Sequence, residues 1–156
     1  MSNMNDSLKI SGRFTLECRD SFGKLKWSHS FPNGITDAGK AQMALLAGDS
    51  TAVPFTYLAV GTSSTAFGSS QTALQAETTT NGLARASATV SRVTTTVTND
   101  TLQLVKTWTA SGSVSVEEIG AFNASSAGTM LCRALTTTKA VTADDTLTAT
   151  YQVKFA

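Results

Sequence analysis

Leu8-Lys9-Ile10-Ser11-Gly12-Arg13-Phe14-Thr15-Leu16-Glu17-Cys18-Arg19 decides the fold. Leu8, Ile10, Gly12, Phe14, Leu16 and Cys18 fall on every second position, and polar residues fill the gaps. That is the period of a long half-buried strand. Asp20-Ser21-Phe22-Gly23 is a turn signal, after which Leu25, Trp27, His29 and Phe31 resume the alternation. Two such runs joined by a short Gly-bearing loop predict a β-hairpin, which Pro32-Asn33-Gly34 ends.

The period changes next. Ala38, Ala41, Met43, Ala44, Leu45 and Leu46 predict one short helix over residues 36–47, with Thr36 or Asp37 as N-cap and Gly48 as the stop. Gly39 is expected to weaken it by roughly 1 kcal/mol relative to Ala. Phe55 to Val60 reads as a short apolar strand, and Gly61 to Gln75 as a long Ser/Thr/Gly loop. Leu83–Thr98, Leu102–Thr109, Val114–Phe122, Met130–Leu135 and Leu147–Phe155 read as strands. About eight strands and one helix, with no crossover helices between strands, exclude a parallel α/β fold. The expected fold is all-β: an antiparallel β-sandwich of jelly-roll type, a single domain over 8–156 preceded by an N-terminal arm over 1–7.

Composition narrows the function. The 156 residues include 26 Thr and 18 Ser, so more than a quarter of the chain is hydroxyl side chain. Twelve basic residues against eleven acidic ones give a net charge of +1. No basic stripe is present for phosphate neutralisation, so no nucleic-acid partner is expected. No apolar run approaches the roughly 20 residues of a membrane span, and Met1–Ser7 lacks an apolar signal core, so neither membrane nor export is expected. Between residues 41 and 84 only Asp49 and Glu77 carry charge. So neutral a stretch fits the charge-depleted centre of an interface.

Chemistry-bearing residues are sparse. The chain lacks a Gly-x-Ser-x-Gly elbow, a Cys-x-x-Cys pair and a second histidine beside His29. No enzyme activity, no cofactor and no metal site are expected. Neighbours on a strand point to opposite faces, so Glu117 and Glu118 cannot form one acid–base dyad. Asp144-Asp145 reads as a turn. Cys18 and Cys132 read as two buried thiols, and His29 as structural. Trp27, Tyr57 and Trp108 are available to stack on sugar rings only if exposed.

Several short stretches occur in a telling order: Tyr57-Leu58-Ala59-Val60-Gly61-Thr62, Thr72-Ala73-Leu74-Gln75-Ala76-Glu77, Val116-Glu117-Glu118-Ile119-Gly120-Ala121-Phe122 and Gly128-Thr129-Met130-Leu131-Cys132-Arg133. The set resembles a diffuse group of small β-sandwich structural proteins of tailed-phage virions. That resemblance implies a virion location and a capsid decoration (cement) protein that binds the major capsid protein as a homotrimer. The alternatives are a tail-tip, baseplate or tail-fibre component and, lower, a glycan-binding host-recognition module. Read from the residues themselves, Arg133 has three candidate partners, Glu77, Glu117 and Glu118, any of which ties a loop to the sheet. The interface candidates are Met1, Met4, Asn5, Phe55, Thr62, Ser64 and Phe67. The arm of seven residues is expected to reach a neighbouring subunit, spanning at most about 25 Å.

Overall fold

The computed structural model describes residues 7–156. Its elements are β1 (Ile10–Arg19), β2 (Leu25–Pro32), β3 (Gly34–Ile35), α1 (Asp37–Gly48), β4 (Tyr57–Gly61), β5 (Ala86–Ser87), β6 (Thr89–Val93), β7 (Thr101–Thr109), β8 (Val114–Phe122), β9 (Met130–Val141) and β10 (Thr146–Phe155). They form two five-stranded sheets, ordered β2-β1-β10-β7-β6 and β3-β9-β8-β4-β5. Neighbouring strands pair antiparallel throughout. The fold is an all-β antiparallel sandwich with one helix. These strand orders establish the sandwich, not the jelly-roll subtype.

The opening alternation does what its period demands. Phe14, Leu16 and Cys18 are fully buried and sit opposite Tyr151, Ala149 and Leu147 of β10, which are fully buried too. Cross-strand pairs on one face are the unit of sheet stabilisation. Here Phe14 and Tyr151 stack with ring centroids 4.4 Å apart. β2 keeps the same period but is an edge strand, and only Phe31 in it is buried.

Ten strands form where eight runs were expected, because the Leu83–Thr98 run splits between the sheets and Gly34–Ile35, beyond the expected end of the hairpin, adds a short strand to the other sheet. β2 belongs to the first sheet and β3, after Asn33, to the second. β5 belongs to the second sheet and β6, after Ala88, to the first. One run thus laces each side of the sandwich, the corner device of sheets that share strands.

The strand expected over Leu83–Thr98 is corrected to these two short pieces. From Thr95 to Val97 the backbone N–H groups donate to the Asp100 carboxylate at 2.8–2.9 Å instead of to a neighbouring strand. Local side-chain acceptors compete with the sheet in this way. The bond from Val97 heads the interactions that hold the Asp100 carboxyl well below its usual range.

The helix also differs in detail. Thr36 is the N-cap, accepting from the Gly39 N–H at 2.9 Å and donating to the Met130 carbonyl at 2.6 Å. Gly39 is buried, and a Cβ there would lie 2.3 Å from the Leu131 carbonyl oxygen. The glycine therefore lets α1 lie directly on β9, a benefit that helix propensity does not register. Gly48 is not a left-handed stop: the helix includes it and ends at Asp49, whose extended backbone donates to Leu45 O at 2.8 Å.

Candidate functional site

The β8–β9 hairpin carries the most buried charge in the described chain. Its register shifts between Val116 and Glu118, so beyond the bulge Ile119 joins Val116 in the core and Glu118 takes the opposite face, buried under the 62–77 loop, while Glu117 stays half-exposed. Across the ladder Gly120 faces Arg133. Arg133 Nε donates to Glu118 Oε2 at 2.6 Å, and neither side chain is exposed to solvent. Glu118 also accepts from the backbone N–H of Ala76 at 2.7 Å and of Gln75 at 3.1 Å. Arg133 Nη1 donates to Gln71 Oε1 at 3.2 Å. A Cβ on Gly61 would sit 2.4 Å from Glu118 Oε1, so the end of β4 must be bare for the carboxylate to pass.

Of the three candidate partners of Arg133, the structure selects Glu118. Glu77 instead forms a two-pronged pair with Arg85, at 2.9 and 2.5 Å, and the Arg85 guanidinium lies 3.6 Å from the centre of the Phe122 ring. Glu117 accepts from the Thr138 hydroxyl. Both ion pairs fasten the 62–77 loop. Thr62 N–H donates to Ala76 O and Thr78 N–H to Val60 O, so the loop leaves and re-enters beside β4. With no exposure and every carboxylate oxygen occupied, Glu118 is a clamp on this loop.

Asp145 makes a second knot. It is 3 % exposed and accepts from Lys26 Nζ at 2.5 Å and from Thr142 N–H and Oγ1 at 2.7 and 2.9 Å. Burial pulls its carboxyl upward, but the Lys26 and Thr142 bonds outweigh it and hold the group at about 2. Asp144 takes the turn's left-handed backbone, φ 69°.

Cys18 and Cys132 are both buried free thiols. Burial, helped by the Asp145 charge, pushes Cys18 up to about 11. Burial pushes Cys132 up to about 12. His29 bonds Thr136 Oγ1 at 2.8 Å and packs on Phe31. The aromatics do not gather into a stacking platform: Trp108 is buried and donates to Ala84 O, while Trp27, on the opposite edge of its sheet, donates to Ala140 O. Tyr57 lies in the other sheet. Among the described residues, no group of three His, Cys, Asp or Glu side chains converges. No helix among them is long and apolar enough to cross a membrane.

The interface candidates scatter. Met1, Met4 and Asn5 lie outside the described residues. Phe55, expected at a surface, is corrected to the core: it is 4 % exposed, because its ring fills the space between sheet and helix. Thr62 and Ser64 are exposed in the clamped loop, Thr62 at a hydroxyl-lined cleft with Thr78, Thr80 and Ser115. Phe67 is 36 % exposed, its ring pressed against the bare backbone of Gly34.

Sequence reasoning missed the main concavity. A groove of about 560 Å³ opens between α1 and the inner-face ends of β1, β10, β7 and β6. Met43 and Ala47 form the helix wall; Leu102, Val153 and Phe155 form the sheet wall. Among the described residues Lys40 is the one charged residue lining it. Its volume and apolar lining are those of a ligand or docking site. The helical spacing of Lys40, Met43, Ala44 and Ala47 was a readable sign of one shared face; that the first sheet meets this face was not. No protein-family model, curated protein or solved structure matches the chain.

Proposed function

We propose that this chain is a structural protein of a tailed-phage virion, a decoration protein that seats on the head shell as a homotrimer against the major capsid protein. It is made in the host bacterial cytoplasm and acts without catalysis. The observation that carries this reading is a convergence. Three of the ordered stretches behind the resemblance, Thr72–Glu77, Val116–Phe122 and Gly128–Arg133, meet at the Glu118–Arg133 clamp. Residues spread over about sixty positions thus serve one structural purpose, fixing to a rigid sandwich a hydroxyl-rich loop that carries no charge over residues 62–76. A rigid neutral loop suits repeated contact with many identical neighbours, since it adds no charge repulsion and loses little conformational entropy on docking.

The test is copy number in purified particles of the phage that encodes the chain. Quantitative mass spectrometry against the major capsid protein, with imaging of the particles, is expected to find hundreds of copies on the head. A few to dozens of copies at the tail would replace the head by a tail-tip, baseplate or fibre role. Absence from particles, with binding of the isolated domain to host polysaccharide, would overturn the virion reading in favour of a glycan-binding module.

A further inference from the structure

The apolar groove beside α1 lies open along a chain whose first six residues fall outside the described part. We propose that these residues, Met1-Ser2-Asn3-Met4-Asn5-Asp6 of the same chain, occupy the groove. The proposal does not depend on the virion reading.

Three observations carry it. The first is continuity. Leu8 lines the groove and is 70 % exposed, while Lys9 and Ala156 exchange backbone hydrogen bonds and fix the chain at that rim. Six residues from the rim reach at most about 20 Å, and so short a tether gives the segment an effective concentration in the millimolar range. The second is chemistry. Met1 and Met4 are the apolar residues of the segment, and methionine's flexible thioether suits an irregular apolar gap. The third is charge. Lys40, the one charged lining residue among the described ones, has among them only an exposed contact with Asp37 at 3.5 Å, and Asp6 brings the opposite sign. The reach that the sequence assigned to a neighbouring subunit is thereby used within the chain's own groove.

The two assignments differ in a measurable way. An arm that serves only a neighbour leaves the melt of the isolated domain unchanged; an arm seated in its own groove does not. The full chain labelled at its methionine methyl groups offers four probes: Met1, Met4, the groove residue Met43 and the core residue Met130. Cross-peaks from the Met4 methyl to groove methyls, Met43 included, are expected and should persist on dilution. Deleting residues 1–6 should raise the fluorescence of an apolar dye several-fold and lower the melting temperature by a few degrees. Met4→Asp, which puts a charge into an apolar groove, should do the same in part. A Met4 methyl at its free-chain shift with no cross-peaks, or a deletion that changes neither dye binding nor melt, overturns the proposal. Cross-peaks that vanish on dilution through a dimer-to-monomer transition overturn it too, giving the groove to a second copy's segment.

Discussion

Glu118 and Arg133 lie on adjacent strands, 2.6 Å apart at their charged atoms, and both side chains are sealed from solvent. Burying a pair of charges is costly, and the cost is recovered only when the geometry is good and the remaining lone pairs are satisfied. The Gln75 and Ala76 N–H groups meet that condition on the carboxylate side, so the pair and the loop support each other.

Removing one partner should therefore cost far more than a surface ion pair. Arg133→Met or Glu118→Ala is expected to lose about 3–5 kcal/mol in urea unfolding, because each leaves a buried charge alone. Combining the two should recover part of that loss. Amide exchange at Gln75 and Ala76 should rise in Glu118→Ala before the sheets open. A loss near zero for either single change would show that the pair is not closed in solution.

Gly39→Ala reverses the ordinary rule. In an exposed helix it would gain up to about 1 kcal/mol. Here the added methyl meets the Leu131 carbonyl at 2.3 Å, and backbone cannot step aside as a side-chain tip can. Chemical denaturation should show a net loss of about 1–3 kcal/mol.

The Asp145 knot sets an acid limit. Its folded carboxyl titrates at about 2, against 3.8 ordinarily, so its contribution is fully present above 3.8. That contribution is lost as pH falls through about 2, since the unfolded chain takes up the proton first. Asp145→Asn should lower stability at neutral pH by about 1–3 kcal/mol, as Lys26 and Thr142 exchange a charged acceptor for a neutral amide oxygen. It should also flatten the acid limb by about one proton, measured as the slope of unfolding free energy against pH.

The thiols set the alkaline limit. In the unfolded chain both titrate near 9.0; folded, Cys18 waits until about 11 and Cys132 until about 12. Their stabilising effect is complete below pH 9 and is lost as pH rises through those values. Neither thiol should react with a disulfide reagent in the native protein at pH 8, and both should react on unfolding. Cys132→Ala should remove about one proton from the alkaline slope.

The strands were legible where one face is buried along the whole run, as in Phe14-x-Leu16-x-Cys18 and Leu147-x-Ala149-x-Tyr151-x-Val153. There periodicity reports solvent directly. It fails where the pairing partner changes and the chain does not: nothing at Asn33 or Ala88 says that the next residues bond to the other sheet. The clamp was half legible. The sequence offered Arg133 three carboxylates, and the choice among them rests on the bulge at Glu117, a property of two strands together. Gly39 was misread for the same reason, since its cause lies on β9. The groove needed the helix face and four strand ends in one place, which no local pattern encodes.

The pairing of β1 with β10 has a consequence for the order of assembly in the cell. Of the ten described strands β1 is the earliest made on the ribosome, yet β10, the partner that buries Phe14, Leu16 and Cys18 on one side, is the latest. The β1–β2 hairpin must wait, holding these side chains against provisional contacts, until about 130 further residues have been synthesised at ~5–20 residues per second. β8 and β9, adjacent in sequence, can pair early by local closure. The second sheet is thus the template and the first sheet the closing act. Shortening the chain at β10 should leave a nascent protein with its earliest strands exposed, prey to proteases, rather than a smaller sandwich.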